Sequence, residues 1–494
     1  MYQIGLDIGS STIKVSLVEA SSGANVCTVQ VPEEEMVIES HAPGFAEQDP
    51  QVWWEYICQG IEEVLNQSQI NPKSIEGIGI AYQMHGLVLV DRDGQLLRKA
   101  IIWCDSRAVD VGDKAYRELG ETHCRNNLLN APGNFTASKL KWVKDNEPDI
   151  YERIHKFMLP GDYIAYRFTG DISTTSTGLS EGIFWNYSNG AIDRKLMENY
   201  GIDLELAPKI VENFTEQGNV STSGAEESGI PKGVPVKYRA GDQPNNAFTL
   251  NVLQPGEIAM TGGTSGVIYG VTDKTEANEI HRYNHFIHVN HNIQNAVVGK
   301  LLCINGSGIL YSWLKKQFGE TSFEKMNMQA ANTSIGSNGL MFFPFGNGAE
   351  RMFLNKNLGA TIQGLDLNRH TRSEMYRAGL EGIAFSFVYG LEIMKSDQLD
   401  IQVIRAGNDN LFRSQIFAET ITSLTGHKIE IYNVTGSVGA ARACGLKQGE
   451  FEVYGERVLK NDFVVTHEVA KNVKPYQEAY QRWRRALELL LKNS

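Results

Sequence analysis

At 494 residues the chain is about three typical domains long, so two or three domains with sizeable cores are expected. Hydrophobic residues make up 42% and charged residues 21%, which excludes wholesale disorder. Lys plus Arg is 46 and Asp plus Glu is 58, a net charge of −12 with no basic block, which argues against a grip on nucleic acid or an anionic membrane. Small anionic ligands remain open, because backbone N–H groups bind phosphate without net positive charge.

The elements follow in chain order. Ile4, Leu6 and Ile8 alternate with smaller or polar residues and predict a strand. Gly9-Ser10-Ser11-Thr12 is a turn, and Ile13 to Val18 a second strand. Asp49-Pro50 reads as N-cap and first residue of a helix bearing Trp53, Trp54, Ile57, Ile61 and Val64. Short strands are expected at Ile75 to Ala81, Leu87 to Val90 and Ile101 to Trp103. Residues 189–235 are polar and turn-rich. Val236 to Tyr238 leads into Ala240-Gly241-Asp242-Gln243-Pro244. Glu257 to Thr261 and Val267 to Val271 flank the turn Gly262-Gly263-Thr264-Ser265-Gly266, the same strand–turn–strand grammar as residues 4–18. An internal duplication some 250 residues apart follows, and with it two similar α/β domains, 1–248 and 249–494. Downstream come a buried strand within 340–350, a buried helix at Tyr376 to Leu391, a strand entering the turn Ala406-Gly407-Asn408-Asp409-Asn410, and a helix with Ile416, Phe417, Ile421 and Leu424. Val438 to Cys444 is a helix of small residues. Pro475 to Lys492 places Tyr476, Tyr480, Trp483, Leu487 and Leu490 on one face, expected to pack on its own domain.

The six cysteines are scattered with no Cys-x-x-Cys pair, so reduced, buried thiols are expected rather than disulfides or a zinc knuckle. The opening Met1-Tyr-Gln-Ile-Gly-Leu-Asp7 has no leader pattern and no run of 18 apolar residues exists. A cytoplasmic enzyme without nucleic-acid or membrane partners is the expectation.

Neither a Walker A motif nor GxGxxG occurs. The two hydroxyl-rich hairpin turns can instead hold phosphates through N–H and hydroxyl groups, and Asp7, just before the first, can hold Mg2+ through water. A Gly-Ser-Ser-Thr turn taken alone is most often just a hairpin. Asp242, at a strand end, suits a general base for a hydroxyl nucleophile; its plain structural reading is a turn aspartate capping the next helix. His281, His285, His288 and His291 look like a metal cluster, but the alternation around His288 turns it away from its immediate neighbours and no cysteine supports one, so metal is not expected there. Trp53 and Trp54 read as core, and Lys14 either as a phosphate ligand or, as is usual for a hairpin, as a solvated lysine.

Asp7-Ile-Gly-Ser-Ser, Gln83-Met84-His85-Gly86, Trp103-Cys-Asp105-Ser-Arg107, Gly241-Asp242-Gln243, Gly263-Thr264-Ser265-Gly266 and Gly407-Asn408-Asp409 stand in the order found in the FGGY carbohydrate kinases, which the chain resembles from residue 1 to about 450. Asn134 to Asn146 and Gly346 to Arg351 resemble further family segments. The resemblance implies two duplicated ribonuclease-H-like domains of the actin–hexokinase type around a cleft. It implies ATP and Mg2+, with a small sugar as acceptor; a homodimer would be ordinary. Met84-His85-Gly86 and Pro43 to Pro50 resemble the branch acting on xylulose, so the implied reaction is D-xylulose to D-xylulose 5-phosphate. L-ribulose, L-fuculose, gluconate or glycerol as acceptor, and a non-catalytic sugar-binding regulator, are the alternatives. By the same resemblance Asp242 is the base and Asp7 sits by Mg2+ and the phosphates. Met84, His85, Trp103, Asn134 and Gln243 bind sugar. Gly9, Ser10, Ser11, Thr12, Gly263, Thr264, Ser265 and Gly266 face phosphates, and Gly407, Asn408 and Asp409 the adenosine. One departure stands out: Thr261-Gly262-Gly263-Thr264 replaces the Ser-Leu-Gly-Thr of many relatives, so a looser second turn is expected.

Overall fold

The computed structural model describes residues 1–292 and 294–494. Its first sheet contains β1 (Tyr2–Ile8), β2 (Ile13–Glu19), β3 (Asn25–Val31), β4 (Ile75–Tyr82) and β5 (Val236–Gly241) in the order β5-β4-β1-β2-β3. β1, β2 and β3 form an antiparallel meander, and β4 and β5 add in parallel. The second sheet contains β6 (Glu257–Gly262), β7 (Gly266–Thr272), β8 (Asn284–Ile287), β9 (Val298–Ile304), β10 (Val403–Gly407), β11 (Ile429–Tyr432) and β12 (Phe463–His467). Its order is β8-β9-β7-β6-β10-β11-β12. Without the edge strands β8 and β12, the sequence β9-β7-β6-β10-β11 repeats the first sheet strand for strand, with the same parallel and antiparallel pairings. The two similar α/β domains expected from the hairpins, and the duplicated ribonuclease-H-like architecture that the resemblance implies, are thereby present.

Nine helices matter to the argument. They are α1 (Pro50–Ser68), α2 (Thr136–Asn146), α3 (Ser176–Glu181), α4 (Asp242–Thr249), α5 (Gly308–Gln317), α6 (Arg372–Ser396), α7 (Gln415–Thr425), α8 (Gly436–Cys444) and α9 (Lys474–Lys492). Asp49 caps α1 as expected, its carboxylate accepting from Gln51 N at 2.9 Å, and Trp53, Trp54, Ile57, Ile61 and Val64 are buried. α9 packs on its own half of the molecule. Tyr476, Tyr480, Trp483 and Leu487 are buried, and the Trp483 indole donates to the Phe342 carbonyl at 2.8 Å.

α8 belongs by sequence to the second half but lies on the first sheet, against β1, β2 and β4. Only small residues permit this approach. A Cβ on Gly5 would stand 1.9 Å from the Ser437 carbonyl oxygen, and one on Gly79 1.9 Å from that of Ala440. On the other side α8 meets α4, where a Cβ on Gly439 would stand 1.7 Å from Thr249 Oγ1. The Asn245 amide donates to Gly436 O at 3.0 Å and the hydroxyls of Ser16 and Ser437 pair at 2.8 Å. α4 and α8, the helices that follow β5 and β11, are thus equivalent members of the two halves packed against each other.

One expectation is filled in and one corrected. Residues 189–235 hold helices at Arg194–Tyr200 and Thr222–Ser228, each with a side-chain N-cap (Asp193 and Ser221). Short capped helices need few apolar residues, so polar composition hid them. The strand expected over Ile101 to Trp103 is the pair Ala100–Ile101, and Trp103 lies on the turn beyond it. Among the described residues no helix is long and apolar enough to cross a membrane.

Substitution of Gly79 by Ala is expected to cost about 1–3 kcal/mol or more in urea unfolding, because the new methyl group meets backbone that cannot rotate away. An unchanged midpoint would refute the seam.

Candidate active site

The first hairpin turn, Gly9 to Thr12, opens onto a cavity of about 310 Å3 lined by Asp7, Lys14, Gln83, Trp103, Asp242 and Asn246 as well as the turn itself. Asp7 and Asp242 reach it from the ends of β1 and β5, which flank β4 in the sheet. Asp242 is the first residue of α4, so the strand hands its carboxyl directly to a helix N-terminus. Gly241 occupies the N-cap position, so the reading of Asp242 as a helix cap does not describe the observed geometry. Burial, and secondly the charge of Asp7, push the Asp242 carboxyl up to about 7. Asp7 is also raised by burial, an effect that Lys14 opposes.

Lys14 is the cross-strand partner of Asp7 in the β1–β2 register, and it lines the cavity. Of the two readings of Lys14, this position favours the phosphate ligand over a lysine turned out to solvent. Its charge also acts on Asp409, so the turn after β10 faces the first hairpin across the cleft. The pairing rule that places residue 14 opposite residue 7 was the available signal.

The first turn is braced from behind. Gln48 Nε2 donates to Ser10 O at 2.7 Å, while Gln48 Oε1 accepts from Trp53 Nε1 at 3.1 Å and from Gln83 Nε2 at 3.3 Å. Trp103 is 54% exposed and its indole donates to Ser10 Oγ at 3.2 Å, so it stands at the mouth of the cavity.

Met84 and His85 follow β4 and sit beside Glu181, the last residue of α3, which the sequence did not mark. His85 Nδ1 lies 2.9 Å from the Glu181 carbonyl oxygen, and its ring packs between Phe135 and Phe286. Burial, then Lys139, push the imidazole down to about 3, so the ring is neutral. Nδ1 must then carry the hydrogen it donates, and Nε2 is an acceptor. Lys139, also unmarked, holds both loops: its Nζ donates to His85 O and to Ile102 O, each at 2.9 Å.

Asn134 is placed differently from expectation. Its Oδ1 accepts from Ala108 N at 3.2 Å and its Nδ2 donates to Asp105 O, so both ends of the amide brace the 105–108 loop. Asp105 and Arg107 are structural too. Their carboxylate and guanidinium pair at 2.7 Å, and the guanidinium lies over the Phe45 ring at 3.8 Å. Gln243 is half-buried on the first turn of α4 beside Asp242.

The second hairpin turn faces another cavity, of about 350 Å3, lined by Gly262, Gly263 and Thr264 with Tyr311, Asn327, Asn410 and Arg413 among others. α5 begins on this turn, with Gly308 N donating to Gly263 O and Ile309 N to Thr264 O, both at 3.1 Å. Gly262 does not loosen the turn: a Cβ there would stand 3.0 Å from Leu411 Cβ, so the space of the missing side chain is filled. Gly407, Asn408 and Asp409 lead into this wall rather than line the cavity; the lining comes from residues just after them.

The four histidines have separate partners. His281 contacts the Tyr116 hydroxyl at 3.3 Å, and His288 the Tyr269 hydroxyl and Val252 O at 3.0 Å each. His291 accepts from Val297 N at 3.1 Å and His285 faces Asp397 at 3.7 Å. All six cysteines are free, but Cys104 and Cys303 are exposed, against the expectation of buried thiols.

The model of the N-terminal domain of the FGGY family of carbohydrate kinases matches residues 2–249, and that of the C-terminal domain residues 258–446. The chain belongs to this family, whose members share the two-domain fold seen here, and it is an ATP-dependent carbohydrate kinase. Among curated relatives it is 30% identical over 394 residues to a xylulose kinase of Staphylococcus epidermidis, covering 79% of this chain and 77% of the relative. It is 27% identical to a probable L-xylulose kinase of Haemophilus influenzae, over 99% of each chain. A solved structure titled a xyloylose kinase, from Brucella ovis, superposes with a TM-score of 0.87 over 100% of both chains at 24% identity.

A carboxyl whose proton affinity is higher folded than unfolded makes stability fall as pH rises between the two pKa values. For Asp242 that window runs from about 4 to about 7. Asp242→Asn is therefore expected to gain thermal stability over the parent at pH 8 but not at pH 4, read by melting curves at both. A pH-independent difference would contradict the burial assigned to this group.

Proposed function

We propose that the chain transfers the γ-phosphoryl group of ATP to the C5 hydroxyl of D-xylulose, giving D-xylulose 5-phosphate and ADP. The observation that carries this reading is that Asp242, with a pKa near neutrality, shares one cavity with the hydroxyl-rich turn Gly9 to Thr12. As the sugar oxygen attacks phosphorus, its proton passes to Asp242 and the bond to the ADP oxygen breaks. Asp242 need only accept one proton, because phosphoryl transfer depends mainly on positioning and charge neutralisation. Met84, His85 and Trp103 bind the sugar, with Gln243 beside the base. The acceptor nitrogen of His85 takes a hydrogen from a sugar hydroxyl. Both hairpin turns hold phosphates, Lys14 adds a cation beside the first, and the cavity beyond the second, approached by Gly407 to Asp409, takes the adenosine. The domain division is 1–248 and 249–494, with the sugar site mostly in the first part.

Asp7 and Asp242 in one cavity, with the Asn246 amide, are hard oxygen donors of the kind Mg2+ uses when it keeps most of its waters. Asp7 would hold the ion, whose contribution is to neutralise charge on the phosphates.

Coupled ADP release with MgATP tests the reading against D-xylulose, L-xylulose, D-ribulose, L-ribulose, L-fuculose, gluconate, glycerol and no sugar. D-xylulose is expected to give the highest kcat/KM, and Asp242→Asn to lower kcat about 10²–10⁴-fold. Another leading sugar would overturn the substrate, and an active Asp242→Asn the base. Lys14→Met is expected to raise KM for ATP about tenfold, as loss of one charge-assisted phosphate contact would. An unchanged KM returns Lys14 to solvent.

A further inference from the structure

Glu181 is 1% exposed and sits beside Met84 and His85 of the acceptor site and beside Gly241. Its carbonyl oxygen takes the hydrogen bond from His85 Nδ1 at 2.9 Å. A Cβ placed on Gly241 would stand 2.2 Å from Glu181 Oε2 and 2.5 Å from Met84 Cγ, so carboxyl and thioether together fill the space beside the residue that precedes Asp242. The glycine at 241 is what lets the carboxyl come so close to the base.

The carboxyl is not there to complete an ion pair. Among the described residues it makes none, and the buried guanidinium nearby, Arg239, is taken by Asp162 at 3.0 Å. Glu181 Oε1 is fully buried and makes no hydrogen bond of normal geometry, and the Tyr82 hydroxyl within its reach, at the end of β4 opposite Gly241 in the strand register, is likewise buried and without one. A buried polar atom with no partner weakens a fold and calls for an explanation. Burial, and after it the charge of Asp242, raise the proton affinity of this carboxyl well above the ordinary range.

We propose that the Glu181 carboxyl is a specificity-determining group that hydrogen-bonds the acceptor hydroxyl adjacent to the one Asp242 deprotonates, and so reads the configuration at C4 of a 2-ketopentose. The inference rests on the kinase reading above and on phosphorylation at C5. A buried group built to pair with one hydroxyl penalises a substrate that turns that hydroxyl elsewhere, because the group is then left unpaired.

The four 2-ketopentoses, D- and L-xylulose and D- and L-ribulose, form a closed set in which each sugar has its C3 and C4 epimers among the others. The test therefore does not depend on which one is preferred. kcat/KM is measured for all four with the parent protein, Glu181→Met and Glu181→Gln. In Glu181→Met, which keeps the length and loses the hydrogen bonds, the preference for the best sugar over its C4 epimer is expected to fall about tenfold. The preference over its C3 epimer should hold within about threefold, and Glu181→Gln should restore most of the C4 preference. The melting temperature of Glu181→Met should equal or exceed that of the parent, since an unpaired acid has left the interior. Equal loss of both preferences, a Glu181→Gln as poor as Glu181→Met, or a large fall in melting temperature would overturn the proposal. A parent protein that turns over none of the four but releases ADP with another acceptor, such as glycerol, overturns the pentulose reading and this inference with it, but not the kinase. An active parent with unchanged preferences in Glu181→Met overturns this inference alone.

Discussion

The architecture depends on a contact between backbones. Gly5 and Gly79 on the first sheet and the row Gly436, Ser437, Gly439, Ala440 and Ala441 on α8 bring a helix of one half against the sheet of the other with almost nothing between them. Such a contact has little tolerance, because no side chain is available to repack around an error. It therefore fixes the relation of the two halves where the start of α8 meets Asp7: a Cβ on Gly436 would lie 2.8 Å from Asp7 Oδ2 and 3.1 Å from Asn246 Oδ1. The acidic wall of the cleft and the helix that joins the two halves are one piece of structure.

Around that piece the polar residues divide into those that face the cleft and those that hold them there. Asp7, Lys14 and Asp242 face it. Gln48, Lys139, Asp105, Arg107 and Asn134 do not, and each spends its hydrogen bonds on the main chain or on an anchoring partner that positions Ser10, His85 or the Trp103 loop. The arrangement lets loops carry the reactive groups while a buried polar network supplies the stiffness that loops lack. It also accounts for two acids kept in one cavity with raised proton affinities, a condition that costs stability and is tolerated where chemistry needs it.

Much of this was legible in the sequence. Alternation in Ile4 to Ile8 and the matching hairpin at Glu257 to Val271 carried the duplicated sheets, because strand periodicity is a local property. Asp49-Pro50 carried the start of α1 for the same reason. The cleft residues Asp7, Ser10 and Asp242 were marked by their position at strand ends and by family resemblance. Lys14 stayed undecided because its place opposite Asp7 follows only from the register of the hairpin, not from its neighbours in the chain. The loop-bracing bonds of Asn134 were not legible, because an amide that braces a loop and one that binds a sugar look alike in one dimension. Glu181 and Lys139 were missed because burial of a charged residue is a tertiary fact: nothing in Leu179-Ser180-Glu181-Gly182 distinguishes a solvated helix end from a carboxyl packed against Gly241.

The position of α8 in the chain has a consequence for how the molecule is made. The first sheet is synthesised early, its last strand ending at Gly241, but one of its faces is covered by residues 436–444. Synthesis proceeds from the N-terminus at roughly 5–20 residues per second, so during the time that residues 242–435 are being made this face has no lid of its own. The core of the second half waits as well, since Trp483 of α9 closes on the Phe342 carbonyl, which is made 141 residues earlier. The half that is born first is finished only when residues 436–444 have emerged, so its apolar face must be kept from sticking to neighbouring chains until the helix of the other half arrives.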